Sequence, residues 1–298
     1  MTTTSGGAPA SLAEAIRARL RAGETVNMPG VYDALTARLA AEAGFEVLFV
    51  SGYSVSASRL GLPDFGYLTQ TEIVEVARAL CSAAGRPVIV DADTGYGNAL
   101  NAIRTAELLH RAGAAGIFLE DQEWPKKCGH FAGKRVIQSA EWLAKLRAVL
   151  DQRARGVDLF LVARTDARSA VSLDEAIARA QAARDLGVDA IFVEAPESIE
   201  ELERVAREVD GVVRVANMIE GGRTPLLTPG ELHDLGYDLI VTPLTGLFAA
   251  ARAVRQAFAV LREQGTLRDH PELALSFRDF EPVVELERHR AEEERYRT

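Results

Sequence analysis

Ala112-Gly113-Ala114-Ala115 runs directly into Gly116-Ile117-Phe118-Leu119-Glu120, and the reading of this phrase decides the fold. The glycine closes a helix, where a left-handed cap costs little. A short, continuously apolar strand follows and ends on a carboxylate. Continuous apolarity means burial on both faces, as in parallel strands flanked by helices. The same phrase recurs at Ala43-Gly44 before Val47–Ser51, at Leu186-Gly187 before Ala190–Glu194, and at Leu235-Gly236 before Leu239–Thr242. Four further strands are expected between these, at Thr25–Met28, Pro87–Val90, Leu159–Ala163 and Val212–Ala216. Amphipathic stretches with apolar residues three and four apart separate them: Thr71–Ala84, Ala99–Ala112, Ala140–Gln152, Leu173–Leu186, Ile199–Val209 and Gly246–Gln264. Ser172 with Glu175 resembles a capping box. Eight alternating strands and helices predict an α/β fold of the (β/α)8 TIM-barrel type, and no GxGxxG opens a dinucleotide-binding unit.

The barrel is expected over residues 11–264, after a disordered tail at 1–10 and before a helical extension at 265–298 whose last helix spans Phe280–Arg297. The 298 residues carry 34 Lys plus Arg against 43 Asp plus Glu, a net charge of -9 that disfavours nucleic acid as a partner. No apolar run approaches membrane-spanning length, and two cysteines are too few for a disulfide framework. A cytoplasmic protein is expected. Cys81, mid-helix among Ala and Leu, reads as core packing.

In a TIM barrel the site lies at the C-terminal strand ends. Those positions hold Asn27, Ser51, Asp91, Asp93, Glu120, Asp121, Arg164, Asp166, Glu194, Asn217 and Glu220. So many carboxylates on one rim repel unless a cation neutralises them. Oxygen donors without His or Cys favour Mg²⁺, with Mn²⁺ as a substitute, over zinc. Asp93-Thr94-Gly95-Tyr96-Gly97-Asn98 is a turn into a helix whose N-terminus could receive an anion. After the fourth strand, Lys126-Lys127-Cys128-Gly129-His130 places a thiol among two ammonium groups and an imidazole, a setting that tunes it toward reactivity.

Together with Ser51-Gly52-Tyr53-Ser54, Leu60-Gly61-Leu62-Pro63-Asp64, Asp91-Ala92-Asp93, Glu120-Asp121-Gln122, Ala163-Arg164-Thr165-Asp166 and Ala216-Asn217, this motif resembles the isocitrate lyase and phosphoenolpyruvate mutase superfamily over nearly the whole chain. The likeness is to the branch of 2-methylisocitrate and 2,3-dimethylmalate lyases. It implies a Mg²⁺-dependent lyase acting on a small 2-hydroxy di- or tricarboxylate. The metal set is then Asp64, Asp91, Asp93 and Glu120, acting largely through water. Substrate carboxylate falls to Ser51, Gly52, Tyr53 and Arg164, with Gly129, Asn217 and Pro243 also lining the substrate site. Cys128 is the proton donor, with Lys126, His130 and Glu194 beside it. The resemblance also implies a homotetramer built from helix-swapped dimers. Cys128-Gly129-His130 stands where the mutases carry an Asn-Ser pair, which counts against phosphorus–carbon chemistry. Phe248 replaces an arginine of the 2-methylisocitrate lyases, which favours a two-carboxylate 2-alkylmalate. Pro243 replaces a serine of the oxaloacetate hydrolases, which favours a lyase over the alternatives, an oxaloacetate hydrolase or a related decarboxylase.

Overall fold

The computed structural model describes residues 11–129 and 133–297; the expected tail at 1–10 lies outside the described residues. Eight parallel strands form the centre: β1 (Val26–Val31), β2 (Leu48–Val50), β3 (Val88–Asp91), β4 (Gly116–Glu120), β5 (Phe160–Thr165), β6 (Ala190–Val193), β7 (Val213–Asn217) and β8 (Leu239–Thr242). They pair in chain order and close into a barrel, with Val26 of β1 opposite Leu239 of β8 and Met28 opposite Val241. The fold is a (β/α)8 barrel.

The strands at Thr25–Met28, Pro87–Val90, Leu159–Ala163 and Val212–Ala216 all run later than their apolar stretches suggested. The closed ladder carries the pairing into polar residues: Arg164 lies opposite Phe192 and Asn217 opposite Val241. Asp91, Arg164 and Asn217 are therefore strand residues rather than loop residues, Arg164 paired with β4 and β6, Asp91 with β4 and Asn217 with β8.

The helices are α1 (Leu12–Arg21), α2 (Ala34–Glu42), α3 (Gly52–Val55), α4 (Gln70–Ala84), α5 (Ala99–Arg111), α6 (Ser139–Leu150) and α7 (Ala167–Ala170). The series continues with α8 (Leu173–Asp185), α9 (Ile199–Glu208), α10 (Pro229–Asp234), α11 (Thr245–Gln264), α12 (Phe277–Phe280) and α13 (Leu286–Arg295). Thr69 and Glu72 form a reciprocal capping box on α4, whereas Ser172 caps α8 in one direction only, accepting from the Glu175 amide. Asn98 caps α5 with its own side chain, 2.9 Å from the Leu100 amide. The Asn98 side chain thus meets the first amides of this helix, the donors an anion at this turn would share.

Two apolar layers result. One lies between strands and helices and takes in Leu80, Leu109 and Trp142, with half-buried Cys81 packed against it as expected. The other fills the barrel with Met28, Phe49, Phe118 and Phe192. Helix α1 plugs the N-terminal end: Ile16 enters this inner core while Arg17 pairs with Asp158 and Asp189 at 2.9 and 2.7 Å. With that end sealed, the C-terminal mouth is the available face.

The helix expected over Phe280–Arg297 is interrupted. Pro282 falls in a 3-10 turn, Glu285 has a φ of 54°, and only then does α13 begin. The turn packs on the same chain, where Glu285 pairs with Arg38 of α2 at 2.8 Å and Val283 is buried.

Candidate active site

The mouth is built from strand ends. Ser51 follows β2 and caps the short α3, its hydroxyl 3.3 Å from the Ser54 amide. Ser54 in turn donates to the Pro243 carbonyl at 3.0 Å, fixing the loop after β8. Gly52 backs onto Asp91: a Cβ there would stand 3.1 Å from Oδ2. Asp91 accepts the Asp93 amide at 3.1 Å, and Tyr96 donates to Asp93 at 3.0 Å. Asp93 adopts a φ of 47°, an uncommon conformation for a residue with a side chain and of a kind that concentrates at functional sites.

Lys126 lies among these acids, its ammonium 2.8 Å from Asp64 and 2.6 Å from Asp93, with all three side chains buried. Burial alone would lower its pKa, but Asp64, Asp93, Asp91 and Glu120 hold it well above the ordinary lysine range. Burial pushes the Asp93 carboxyl up to about 7, with Asp91 and Asp64 adding to the shift and Lys126 opposing it. Glu120 is also raised well above the usual range by burial, against the pull of Arg164.

Arg164 is the second cationic centre. Its guanidinium reaches Glu120 at 3.2 Å, Asp166 at 2.9 Å and Glu194 at 3.1 Å, and stacks 5.4 Å from the Phe192 ring. Burial would raise Asp166, but Arg164 and Lys134 hold its carboxyl well below the usual range. Asn217 donates to Glu194 at 3.3 Å. Beneath these groups Asp121 accepts from Thr165, from the Asp166 amide and from Arg179, locking β4 to β5 from behind.

The segment after β4 closes the top. Its Lys127 backbone is gripped at both ends by the Gln122 amide, at 2.8 and 3.0 Å, and the Cys128 amide donates to the Asp64 carbonyl at 3.1 Å. Cys128 and Gly129 then line a small cavity of about 40 Å³. Ser51, Tyr53, Asp64 and Asp91 line its acidic side, and Lys126, Arg164, Glu194 and Asn217 its charged floor. Gly52, Asp93 and Glu120 sit behind this lining. His130 lies outside the described residues. Glu220 is exposed, and Phe248, also partly exposed at the start of α11, lies away from the cavity.

Part of the lining has no polar signal in the sequence. Phe49, Phe118 and Phe192 form a ring cluster under the cavity, with centroids 4.8 and 5.8 Å apart. Ile219, Val241 and Leu244 join Pro243 on one wall. These residues look like ordinary barrel core until the polar residues beside them are placed.

The donor set is all oxygen. Glu120 Oε1 is buried without a hydrogen-bond partner, an acceptor that a cation would satisfy. Four buried acids against Lys126 and a shared Arg164 leave negative charge in excess, so the residues fit a hard divalent ion. Among the described residues, no group of three His, Cys, Asp or Glu side chains is arranged to hold a metal directly.

A barrel whose mouth combines such an acid cluster with an arginine and a thiol-bearing cover belongs to a recognisable class. Residues 16–262 match the phosphoenolpyruvate phosphomutase family model, and the chain belongs to the PEP mutase/isocitrate lyase superfamily. It is 50% identical over 266 residues to a chloroplastic carboxyvinyl-carboxyphosphonate phosphorylmutase of Arabidopsis thaliana, covering 88% of this chain and 78% of that one. It is 41% identical over 283 residues to the 2,3-dimethylmalate lyase of Eubacterium barkeri, covering 95% and 97%. Among solved structures it is similar to an oxaloacetate acetylhydrolase bound to 3,3-difluorooxalacetate, with a TM-score of 0.90, 34% identity and coverage of 97% and 98%. It is similar also to a phosphonopyruvate hydrolase complexed with oxalate and Mg²⁺, with a TM-score of 0.86, 29% identity and coverage of 97% and 100%.

Proposed function

We propose that this chain is a Mg²⁺-dependent carbon–carbon lyase that cleaves a 2-hydroxy dicarboxylate of the 2-alkylmalate type into a 2-oxoacid and a carboxylate, with Cys128 as proton donor. The observation that carries the reading is the position of Cys128, which lines the same cavity as Arg164, Asp64 and Asp91. Asp64, Asp91, Asp93 and Glu120 would hold the ion through water, given that no three of them ligate it directly. Bound there, the ion supplies Lewis-acid stabilisation of negative charge on the oxygen of the 2-oxoacid product.

The chain's own groups do the rest. Arg164 and the backbone at Ser51, Gly52 and Tyr53 anchor a substrate carboxylate. Lys126 neutralises Asp64 and Asp93 and keeps the acid cluster compact. Asn217 orients Glu194 against Arg164. Loss of the 2-hydroxyl proton to solvent and cleavage of the C2–C3 bond give the 2-oxoacid and a carbanion next to the departing carboxylate; the Cys128 thiol delivers its proton to that carbon and is left as a thiolate, which solvent reprotonates. The cover over the cavity excludes water that would weaken these interactions. Ile219, Val241 and Leu244 offer no partner to a third carboxylate, which supports an alkyl substituent.

The similarity to the oxaloacetate acetylhydrolase supports a second reading, hydrolysis of oxaloacetate or its decarboxylation. Pro243 in the cavity wall brings no hydroxyl and weighs for the lyase. Incubation with Mg²⁺ and 2,3-dimethylmalate should give pyruvate and propionate, measured by chromatography; oxalate and acetate from oxaloacetate, with dimethylmalate untouched, would establish the hydrolase instead.

A cytoplasmic enzyme fits a sequence with only two cysteines. A homotetramer built from helix-swapped dimers fits α11, which has no buried residue and exposes Val254, Phe258 and Leu261, and the nearby exposed Leu275 and Phe277. The barrel over 11–264 and the extension over 265–298 are the corresponding catalytic and assembly units.

A further inference from the structure

Lys134 has entered so far only as a charge beside Asp166, yet its side chain is completely buried, 0% exposed. Its ammonium makes two contacts. One is to Asp166 Oδ1 at 2.5 Å, and the other is a hydrogen bond to the carbonyl of Gly129, the residue after Cys128. A buried ammonium is stable only where such partners replace its water.

Gly129 is pressed against the charged floor. A Cβ at this position would stand 2.6 Å from Arg164 Nη2 and 2.6 Å from Glu194 Cδ. The backbone can approach this closely because the residue has no side chain, and Lys134 holds the carbonyl of that same residue. The contacts of Gln122 with Lys127 and of Asp64 with the Cys128 amide hold the segment on the N-terminal side of the thiol. Lys134 holds it on the C-terminal side.

We propose that Lys134 is a positioning residue that seats the Cys128 segment over the cavity by tying the Gly129 carbonyl to Asp166. Asp166 also pairs with Arg164, so the tie fixes the segment to the same carboxylate that orients the guanidinium. Without the ammonium, the Gly129 carbonyl and one oxygen of Asp166 lose a buried donor, and the segment lifts toward water, where both can be solvated. The inference deepens the reading of Cys128 as proton donor and draws its catalytic meaning from it.

The two cysteines supply the test. Cys81 sits in α4, far in sequence from the segment, and burial raises its thiol pKa to about 11, so it reports on opening of the barrel. Full-length wild-type protein and the variants Lys134→Met and Lys134→Gln are treated with iodoacetamide without substrate or metal, and each cysteine's modification is followed by mass spectrometry. The expected result in either variant is alkylation of Cys128 about tenfold faster or more, with Cys81 unchanged, as loss of a charged hydrogen bond shifts the segment toward its open form. In that variant kcat falls about a hundredfold, the scale set by small misplacements of a reacting group. An unchanged Cys128 rate in both variants, or acceleration of both thiols together in both, overturns the proposal, as does any other pattern. Alkylation reads how the segment is seated whether or not the thiol donates a proton, so failure of that donor assignment would appear separately, as unimpaired turnover by Cys128→Ser.

Discussion

Three buried cations set the chemistry of individual residues at the mouth: Lys126 among Asp64 and Asp93, Arg164 among Glu120, Asp166 and Glu194, and Lys134 on Asp166. Cys128→Ser keeps the shape of the cover and removes the sulfur acid. It is expected to lower kcat about 10²- to 10⁴-fold with an unchanged thermal midpoint and unchanged Mg²⁺ binding, measured by steady-state kinetics, calorimetry and titration. Asp93→Ala should abolish the response to added Mg²⁺, read as loss of ion-dependent stabilisation in thermal melts. The Asp93 carboxyl, raised to about 7 from its ordinary 3.8, sets a pH dependence as well. Protons compete with the ion below that pH, so Mg²⁺ affinity by calorimetric titration should be about tenfold weaker at about pH 6 than at about pH 8. Without metal the sign reverses. The folded state holds the extra proton, so this group's contribution to stability is full below about 3.8 and is lost as pH rises through about 7.

At the scale of elements, the strands were legible because each follows a glycine within a few residues and is mostly apolar, Asn27 in β1 and Arg214 in β7 excepted, and their polar ends located Asp91, Glu120, Arg164, Glu194 and Asn217. Helices α1, α2 and α10 were not singled out. Helix α1 precedes the first strand and so falls outside the strand–helix alternation that locates the others, and α10 is only six residues long, too short to show a period. Lys134 was hidden for another reason: its partner Asp166 is 32 residues away, and nothing in a lone lysine announces a contact across that distance. The Cys128 segment runs between β4 and α6, and α6 is anchored by Trp142, fully buried with its indole N–H 3.4 Å from the Leu119 carbonyl. Trp142→Ala should lower stability by about 3–5 kcal/mol, measured by urea unfolding, because it leaves a large cavity where α6 meets the barrel.

For the whole molecule, a plug at one end and a charged mouth at the other give the barrel a single working face. The outer face of α11 is a different matter, since Val254, Phe258 and Leu261 are exposed in one chain although α11 runs for 20 residues. Light scattering of the full chain is expected to give about four times 32.2 kDa, and removal of residues 265–298 should reduce the assembly; a full chain of single-chain mass would contradict the assembly reading. The central claim concerns the mouth and is best tested by the fate of one proton. Cleavage of 2,3-dimethylmalate in D₂O with Mg²⁺, followed by NMR, should yield pyruvate and propionate carrying a single deuterium next to the carboxylate, and Cys128→Ser should form both products far more slowly. Absence of propionate, or undiminished cleavage by Cys128→Ser, would contradict the account.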